Sequence, residues 1–277
     1  QQADNHGYIS FSAQPQKTAT RANPYEAYDP TRHPATMGTF GYYDMPKRYA
    51  SAANTIFNNE TATYNVATYG WDTATKKRWT EYTKASSFDF FAYMPYTGGA
   101  TLPRTANNTY TLSFPFAMSD GGNPVPVIYD TKAAPIICAV PSNKGAISDS
   151  NGGGTVSLKF DQTLTGYKLL FMLGTKMNAI RHFRIKSVTL SGSFSTSCTI
   201  SRSYVWNTTS KSWSASAITW SDIKRQSFVE TPFPIAYKGY GSADYDDNTQ
   251  TVIVTSAGYT QWGADIYTCL LYTSPSP

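Results

Sequence analysis

Apolar and polar residues alternate with a period of two in several parts of the chain, most clearly in residues 9–13, 110–116 and 156–160. Successive side chains of a β-strand point to opposite faces, so this alternation predicts strands with one buried face. Two other runs, residues 136–140 and 169–173, are apolar throughout. Such runs are typical of strands that are covered on both faces. The pattern therefore predicts an all-β protein.

Helical patterns are scarce, and the best candidate is residues 47–59, where Ile56 and Phe57 follow several alanines. Strong turn signals separate the predicted strands. The triplet Gly152-Gly153-Gly154 ends the best linker candidate, residues 144–154. A division there gives an N-terminal domain of residues 1–150 and a C-terminal domain of residues 151–277, each long enough to form one β-sandwich.

The composition favours a secreted protein. Charged residues make up only 15% of the 277 residues, and aromatic residues, with 21 Tyr among them, make up another 15%. A neutral surface rich in Thr and Tyr suits β-sheets outside the cell. The net charge of +5 has no basic stripe, which argues against nucleic-acid binding. No apolar run approaches the ~20 residues of a membrane helix, so we expect no membrane span.

The reactive residues do not form a catalytic or metal-binding pattern. The three histidines, His6, His33 and His182, have no nucleophile motif nearby. The acidic cluster at 244–248 begins like a calcium loop, but it lacks the glycine and the final glutamate that such a loop needs. We therefore predict no enzyme activity, no cofactor and no metal. Whether Cys138 and Cys198 form a disulfide stays open.

Tryptophan raises one alternative, because exposed aromatic rings stack on sugars. The chain has six Trp residues, which are Trp71, Trp79, Trp206, Trp213, Trp220 and Trp262. Trp is also an ordinary residue of β-sandwich cores. A glycan-binding surface lipoprotein is therefore the alternative function to the one that follows.

Five motifs occur in an order that resembles the fimbrillin-like proteins of Bacteroidales, the type V pilins. An early strand, Ile9-Ser-Phe-Ser-Ala13, is followed by Thr20-Arg21-Ala22. Next come Phe88-Asp-Phe-Phe-Ala-Tyr-Met-Pro-Tyr96, Val156-Ser-Leu-Lys-Phe160 and Arg184-Ile-Lys-Ser-Val-Thr-Leu-Ser-Gly192. One departure is Gln162, which stands where the family commonly has a histidine.

This resemblance implies two transthyretin-like β-sandwich domains in tandem. It also implies an assembly pathway. In this pathway the chain is exported as a lipoprotein and is cut by an Arg- or Lys-specific protease. It then polymerises with other pilin subunits by donor-strand exchange. The expected role is then a structural or tip subunit of a surface fimbria at the outer membrane, acting in cell adhesion. Neither its position in the fimbria nor its receptor is specified.

The resemblance also assigns the processed segment. The displaced first strand carries Ile9, Phe11 and Ala13, and the cut is expected after Arg21, with Arg32 as the fallback. The last ten residues, 268–277, resemble translated adaptor sequence from metagenomic assemblies. We therefore expect the chain to be truncated near Tyr267, where the native gene would continue, and the remaining tail to be non-native; the alternative is a genuine Pro-rich terminus.

Overall fold

The computed structural model describes residues 7–16, 25–45, 49–117, 119–120, 123–124, 134–147, 153–179, 183–185, 188–233, 245–246, 251–254 and 260–268. These residues are nearly all β, as the alternation predicts. The first twelve strands are β1 (Ser10–Pro15), β2 (Thr36–Tyr43), β3 (Thr55–Asn65), β4 (Gly70–Thr73), β5 (Ser87–Met94), β6 (Arg104–Ala106), β7 (Thr109–Ala117), β8 (Ser119–Asp120), β9 (Asn123–Pro124), β10 (Ile136–Cys138), β11 (Ser142–Gly145) and β12 (Thr155–Gln162).

The remaining strands are β13 (Thr165–Phe171), β14 (Phe183–Ile185), β15 (Val188–Asn207), β16 (Ser212–Ala215), β17 (Thr219–Phe233), β18 (Tyr245–Asp246), β19 (Thr251–Val254) and β20 (Thr260–Thr268). The helical elements with described bounds are one α-helical turn, α1 (Thr175–Asn178), and two 3₁₀ turns, Ala52–Asn54 and Trp79–Tyr82, and Met45 is also helical. None of these short helices could cross a membrane.

The largest sheet closes on itself. Its strands follow the order β10-β12-β1-β4-β3-β2-β5-β11, and β10 also pairs with β5. Ile136 lies opposite Met94, and Ile137 lies opposite Tyr93. An open sandwich sheet has two free edges, whereas this pairing joins β10, the first strand in the order, to β5 and so closes a ring of seven strands, with β11 added to β5. The main sheet is therefore barrel-like, which differs from the open sandwich predicted from the sequence.

Strand β5 is buried on both faces. Phe90 packs against Phe11 and Trp79, with ring centroids 5.6 and 5.9 Å away. Its neighbour Phe91 packs instead against Tyr204 and Trp213 of a five-stranded sheet, which has the order β16-β15-β7-β6 with β17 paired to β15. Because adjacent residues of a strand point in opposite directions, β5 contributes to two cores at once.

The chain divides into two compact units, and neither is a continuous half. The first unit contains residues 1–117, 132–163 and 197–223, and the second contains residues 118–131, 164–196 and 224–277. This differs from the predicted domains 1–150 and 151–277. Strand β12 follows the predicted boundary, yet it pairs with β1 and β10 of the first unit.

The glycines of the predicted linker have a packing role. Gly153 has a φ of +62°, and a Cβ at this position would lie 2.4 Å from the ring of Trp79. The Lys144 ammonium donates a 2.6 Å hydrogen bond to the Gly153 carbonyl. A residue with a side chain would be strained and would collide with the indole, so Gly153 permits a close contact rather than a flexible connection.

In the second unit, the described pairings are those of β13 with β20, β14 with β19, β18 with β19 and β8 with β9. All of these pairs are antiparallel. Strand β20 ends at Thr268, and the predicted non-native tail beyond it lies outside the described residues.

The weak helical pattern of residues 47–59 does not form an α-helix in the described part of that segment. A 3₁₀ turn at Ala52–Asn54 leads directly into β3 at Thr55. Ile56 and Phe57 are both buried, although strict alternation would expose one of them. The register between β2 and β3 shifts beside Phe57, and a bulge of this kind allows neighbouring side chains to be buried together.

Candidate functional site: the first-strand slot

Strand β1 is an interior strand of the barrel-like sheet. It runs parallel to β12, from Ser10 opposite Thr155 to Pro15 opposite Phe160. On its other side it runs antiparallel to β4, where Phe11 lies opposite Trp71. We call the space between β12 and β4 the first-strand slot. Removing β1 would leave backbone groups unpaired on both sides of this slot.

The side chains of the first strand fill the core beneath the slot. Ile9 is 3% exposed, Phe11 is completely buried and Ala13 is 6% exposed. The Phe11 ring lies 5.8 Å from Phe57 and 5.6 Å from Phe90, in tilted and edge-on geometry. Burial of each large apolar side chain stabilises the fold by roughly 1.5–3 kcal/mol. A strand that occupies the slot must therefore supply apolar side chains to the core.

Residues 7–9 continue the pairing before β1 begins. The amide of Ile9 donates to the Lys77 carbonyl at 2.8 Å, and the amide of Trp79 donates to the Gly7 carbonyl at 2.9 Å. The guanidinium of Arg78 lies over the ring of Tyr8 and donates a 2.9 Å hydrogen bond to its hydroxyl. These contacts hold the start of the first segment independently of the slot.

Residues 15 and 16, at the end of the first segment, pair with residues 25 and 26, which follow the connection 17–24. Gln16 and Tyr25 form a β-bridge, and the amide of Glu26 donates to the Pro15 carbonyl at 2.9 Å. Residues 17–24 connect these two points, and the predicted cleavage site after Arg21 is among them, so Arg21 lies outside the described residues. A cut in residues 17–24 would leave β1 held by noncovalent contacts alone.

A polar cluster holds the returning chain in place. The hydroxyl of Tyr25 donates a 2.8 Å hydrogen bond to Asp161, and the other oxygen of Asp161 lies 2.7 Å from the Arg202 guanidinium. Burial, followed by the hydrogen bond to Asp161, raises the pKa of Tyr25 to about 12. Arg202 also donates to the carbonyls of Cys138 and Ser216. The cluster therefore anchors the chain downstream of the predicted cut.

Sequence patterns could not have identified this cluster. Tyr25 and Asp161 are separated by 136 positions. Asp161 directly follows the alternating run 156–160, where a polar residue is ordinary, and no pattern marks Tyr25. Only the parallel pairing of β1 with β12 brings them together.

The fallback site, Arg32, lies in a compact turn. The carboxylate of Asp29 accepts hydrogen bonds from the amide and hydroxyl of Thr31, which hold the pKa of Asp29 below its ordinary value. The amide of Arg32 donates to the Asp29 carbonyl at 3.1 Å, and its side chain forms a 3.1 Å ion pair with Glu26. A protease needs an extended stretch of chain, so this turn would have to open before cleavage.

His33 and Cys138 both have structural surroundings. Burial lowers the pKa of His33, which is only 5% exposed. Burial also raises the pKa of the Cys138 thiol to about 11, and its Sγ lies 3.0 Å from the Tyr204 hydroxyl, so Cys138 does not form a disulfide. In the part of the chain that the structure describes, no group of three metal-ligating side chains occurs. His6, His182 and most of the acidic cluster at 244–248 lie outside that part.

The described tryptophans divide into two groups. Trp71 and Trp79 are buried core residues. Trp206, Trp213 and Trp220 are half-buried. The indole of Trp213 donates to Asp89, and that of Trp220 donates to the Thr163 carbonyl. The side chain of Trp262 lies outside the described set.

Two solved structures of proposed cell adhesion proteins from Bacteroides are similar to this chain over most of its length. The protein from Bacteroides uniformis is 14% identical with a TM-score of 0.36, and the match covers 94% of this chain and 76% of that one. The protein from Bacteroides ovatus is 11% identical with a TM-score of 0.38, and the match covers 96% and 99%. No protein-family model matches the chain, and no curated protein is significantly similar to it. Similarity at this level establishes neither family nor function, which therefore depend on the residues of the site itself.

Proposed function

We propose that this protein is a subunit of a bacterial surface fimbria that acts in adhesion and assembles by protease-triggered exchange of its first strand. The observation that carries the proposal is the placement of β1. This strand fills an interior slot, Phe11 and the preceding Ile9 lie in the core, and residues 17–24 are its covalent connection to the downstream chain.

In this proposal β1 is a placeholder. Before cleavage it covers the core and satisfies both strand edges, so the exported subunit is a monomer. A cut after Arg21 turns β1 into a separate peptide, which can leave. A strand from another subunit then occupies the slot by β-augmentation, with main-chain hydrogen bonds for affinity and side-chain contacts for specificity. The tandem transthyretin-like arrangement implied by the family resemblance stays a prediction.

The anchoring of both sides of residues 17–24 supports this scheme. The Tyr25–Asp161–Arg202 cluster keeps the downstream chain fixed when the upstream segment departs. The slot would then open without unfolding the residues beside it. The compact turn around Arg32 supports Arg21 as the preferred cleavage site.

The proposal is tested by expressing Arg21→Ala, Arg32→Ala and the double variant in a host that carries the Arg-specific protease. We expect Arg21→Ala to prevent the ladder of polymer bands on denaturing gels, because the first strand stays covalently attached. Arg32→Ala alone should still form the ladder. Fimbriae formed by the double variant would contradict this mechanism.

A further inference from the structure

One rim of the five-stranded sheet carries aromatic and cationic side chains that the strand-exchange mechanism does not use. At this rim the turn between β6 and β7 lies beside the turn between β15 and β16, since the Trp206 amide donates to the Asn108 carbonyl at 2.9 Å. We call Tyr49, Arg104, Asn107 and Trp206 the rim patch. All four belong to the first unit, and none contacts the first-strand slot through a hydrogen bond or ring contact described above.

Tyr49 and Arg104 form a preorganised pair. Tyr49 has a φ of +65°, an unusual conformation for a bulky residue, and is 47% exposed. The Arg104 guanidinium lies 3.7 Å from the centre of the Tyr49 ring. Its Nε donates to the Ala106 carbonyl and its Nη2 donates to Asn107. These contacts fix the plane of the guanidinium and leave Nη1 without a partner in the described part of the chain.

Trp206 is held in an equally fixed position. Its ring lies edge-on to Trp213 at 5.2 Å, and Trp213 is itself fixed by a 2.8 Å hydrogen bond to the buried Asp89. Trp206 remains half-exposed, and no described group accepts a hydrogen bond from its indole nitrogen. Strand β7 separates β15 from β6, and Arg104 is in register with Tyr204. Trp206 is therefore displaced from Arg104 by two strand spacings and by two residues along the strands, roughly 12 Å in all. That spacing suits two neighbouring sugars of a glycan chain.

The two segments that carry Arg104 and Trp206 have charges of one sign. Residues 101–117 and 197–217 contain Arg104, Arg202 and Lys211 but no Asp or Glu. Arg202 is neutralised by Asp161, whereas no ion pair joins Arg104 to a carboxylate within the described ranges. A fixed guanidinium of this kind recognises a carboxylate through paired hydrogen bonds. The neighbouring aromatic rings present apolar faces to a sugar.

From this geometry we propose that the rim patch binds an acidic glycan, whose sugar ring stacks on Trp206 while a sugar carboxylate pairs with Arg104. The site depends on neither cleavage nor strand exchange, so it is present in the uncut monomer. Uronic acids and sialic acids share this chemistry. Neutral glycans lack the charge that Arg104 would pair with.

The test uses the full-length, uncut protein and calorimetric titration with tri-galacturonate, its methyl ester, sialyllactose and lactose. We expect one of the two acidic sugars to bind, and the neutral counterpart of that sugar to bind about ten-fold more weakly, as loss of a charge-assisted contact predicts. Which acid binds identifies the source of the carboxylate. Failure of both acidic sugars to bind would overturn the proposal.

Variants assign the binding to the rim patch. Arg104→Gln should remove the preference for the acidic sugar over its neutral counterpart, and Trp206→Ala should abolish binding. Trp206→Phe keeps an aromatic ring and should restore part of the affinity, which separates loss of stacking from a folding defect. Tyr69→Ser is the matched control, because Tyr69 is 80% exposed on the turn between β3 and β4. Unchanged binding by both Arg104→Gln and Trp206→Ala would place the site elsewhere and contradict the assignment.

Discussion

Asp89 is a carboxylate in the interface between the two sheets of the first unit. It is completely buried, and its Oδ1 accepts hydrogen bonds from the Asn143 amide at 2.7 Å and the Trp213 indole at 2.8 Å. Its Oδ2 has no partner in the described part of the chain. Burial dominates over these two hydrogen bonds and raises the pKa of Asp89 from 3.8 to about 6.

This raised pKa predicts a specific loss of stability with rising pH. The folded protein binds the proton of Asp89 more tightly than the unfolded chain does. The stabilising effect of that proton is therefore complete below about pH 4 and is lost as the pH rises through about 6. A shift of this size corresponds to about 3 kcal/mol. The free energy of unfolding of Asp89→Asn, minus that of the wild type, should grow by up to this amount between pH 4 and 7 in urea titrations.

Asp72→Asn is the control for that measurement. Hydrogen bonds from Lys76 and Asn65 lower the pKa of Asp72, so this group titrates below the pH window and should not change the slope. An Asp89→Asn variant whose stability follows the wild-type pH dependence would show that Asp89 is solvated in the protein.

At the scale of single elements, β1 combines one buried face with a short, separable sequence. Phe11→Ala should lower the free energy of unfolding by about 3–5 kcal/mol, because the truncation leaves a cavity between Phe57 and Phe90. The adjacent Ser12 is only half-buried and points to the other face, so Ser12→Ala should change stability by less than about 0.5 kcal/mol. Both values follow from urea unfolding monitored by tryptophan fluorescence. Equal unfolding midpoints for the two variants would mean that the first strand adds nothing to the core.

The strands with one buried face could be predicted from the sequence, because their apolar residues lie on the buried face and their polar residues on the exposed face. Strands β1, β7 and β12 have the alternating burial that their residues predict. The all-apolar run at 136–140 contains β10, which is buried on both faces, as predicted. The pattern failed at Ile56 and Phe57, where a bulge in the neighbouring register decides the burial and leaves no local signal.

At the scale of the whole molecule, the barrel-like sheet joins segments from both sides of the predicted boundary. Strand β12 completes the pairing of β1 and β10, and the described residues 197–216 of β15 and β16 cover Phe91 through Tyr204 and Trp213. This arrangement could not be predicted from the sequence, since nothing in the local sequence of Ser10 or of Thr155 indicates that the two residues pair. The Gly triplet was interpreted as a linker because glycine is favoured both where the backbone must be flexible and where another group packs closely against it, and the sequence does not distinguish these cases.

A fragment of residues 1–150 should therefore fail to fold. It lacks β12 and the strands that cover one face of β5, so Phe91 and other large side chains would be exposed. Residues 1–223 contain all segments of the first unit and should keep a near-ultraviolet circular dichroism spectrum with fixed aromatic signals. A cooperative unfolding transition of the 1–150 fragment would instead support the division predicted from the sequence.

The parallel pairing of β1 with β12 also determines when β1 can complete its pairing during synthesis and folding. Ser10 and Thr155 are neighbours although 145 positions separate them, so the ribosome completes more than half of the chain before the first strand can meet its partner. Contacts between such distant positions form late and slowly, because a long loop must close first. The segment that is synthesised first thus completes its pairing among the last. A nascent chain released before residue 162 would lack a complete β12, so one edge of β1 would stay unpaired and exposed.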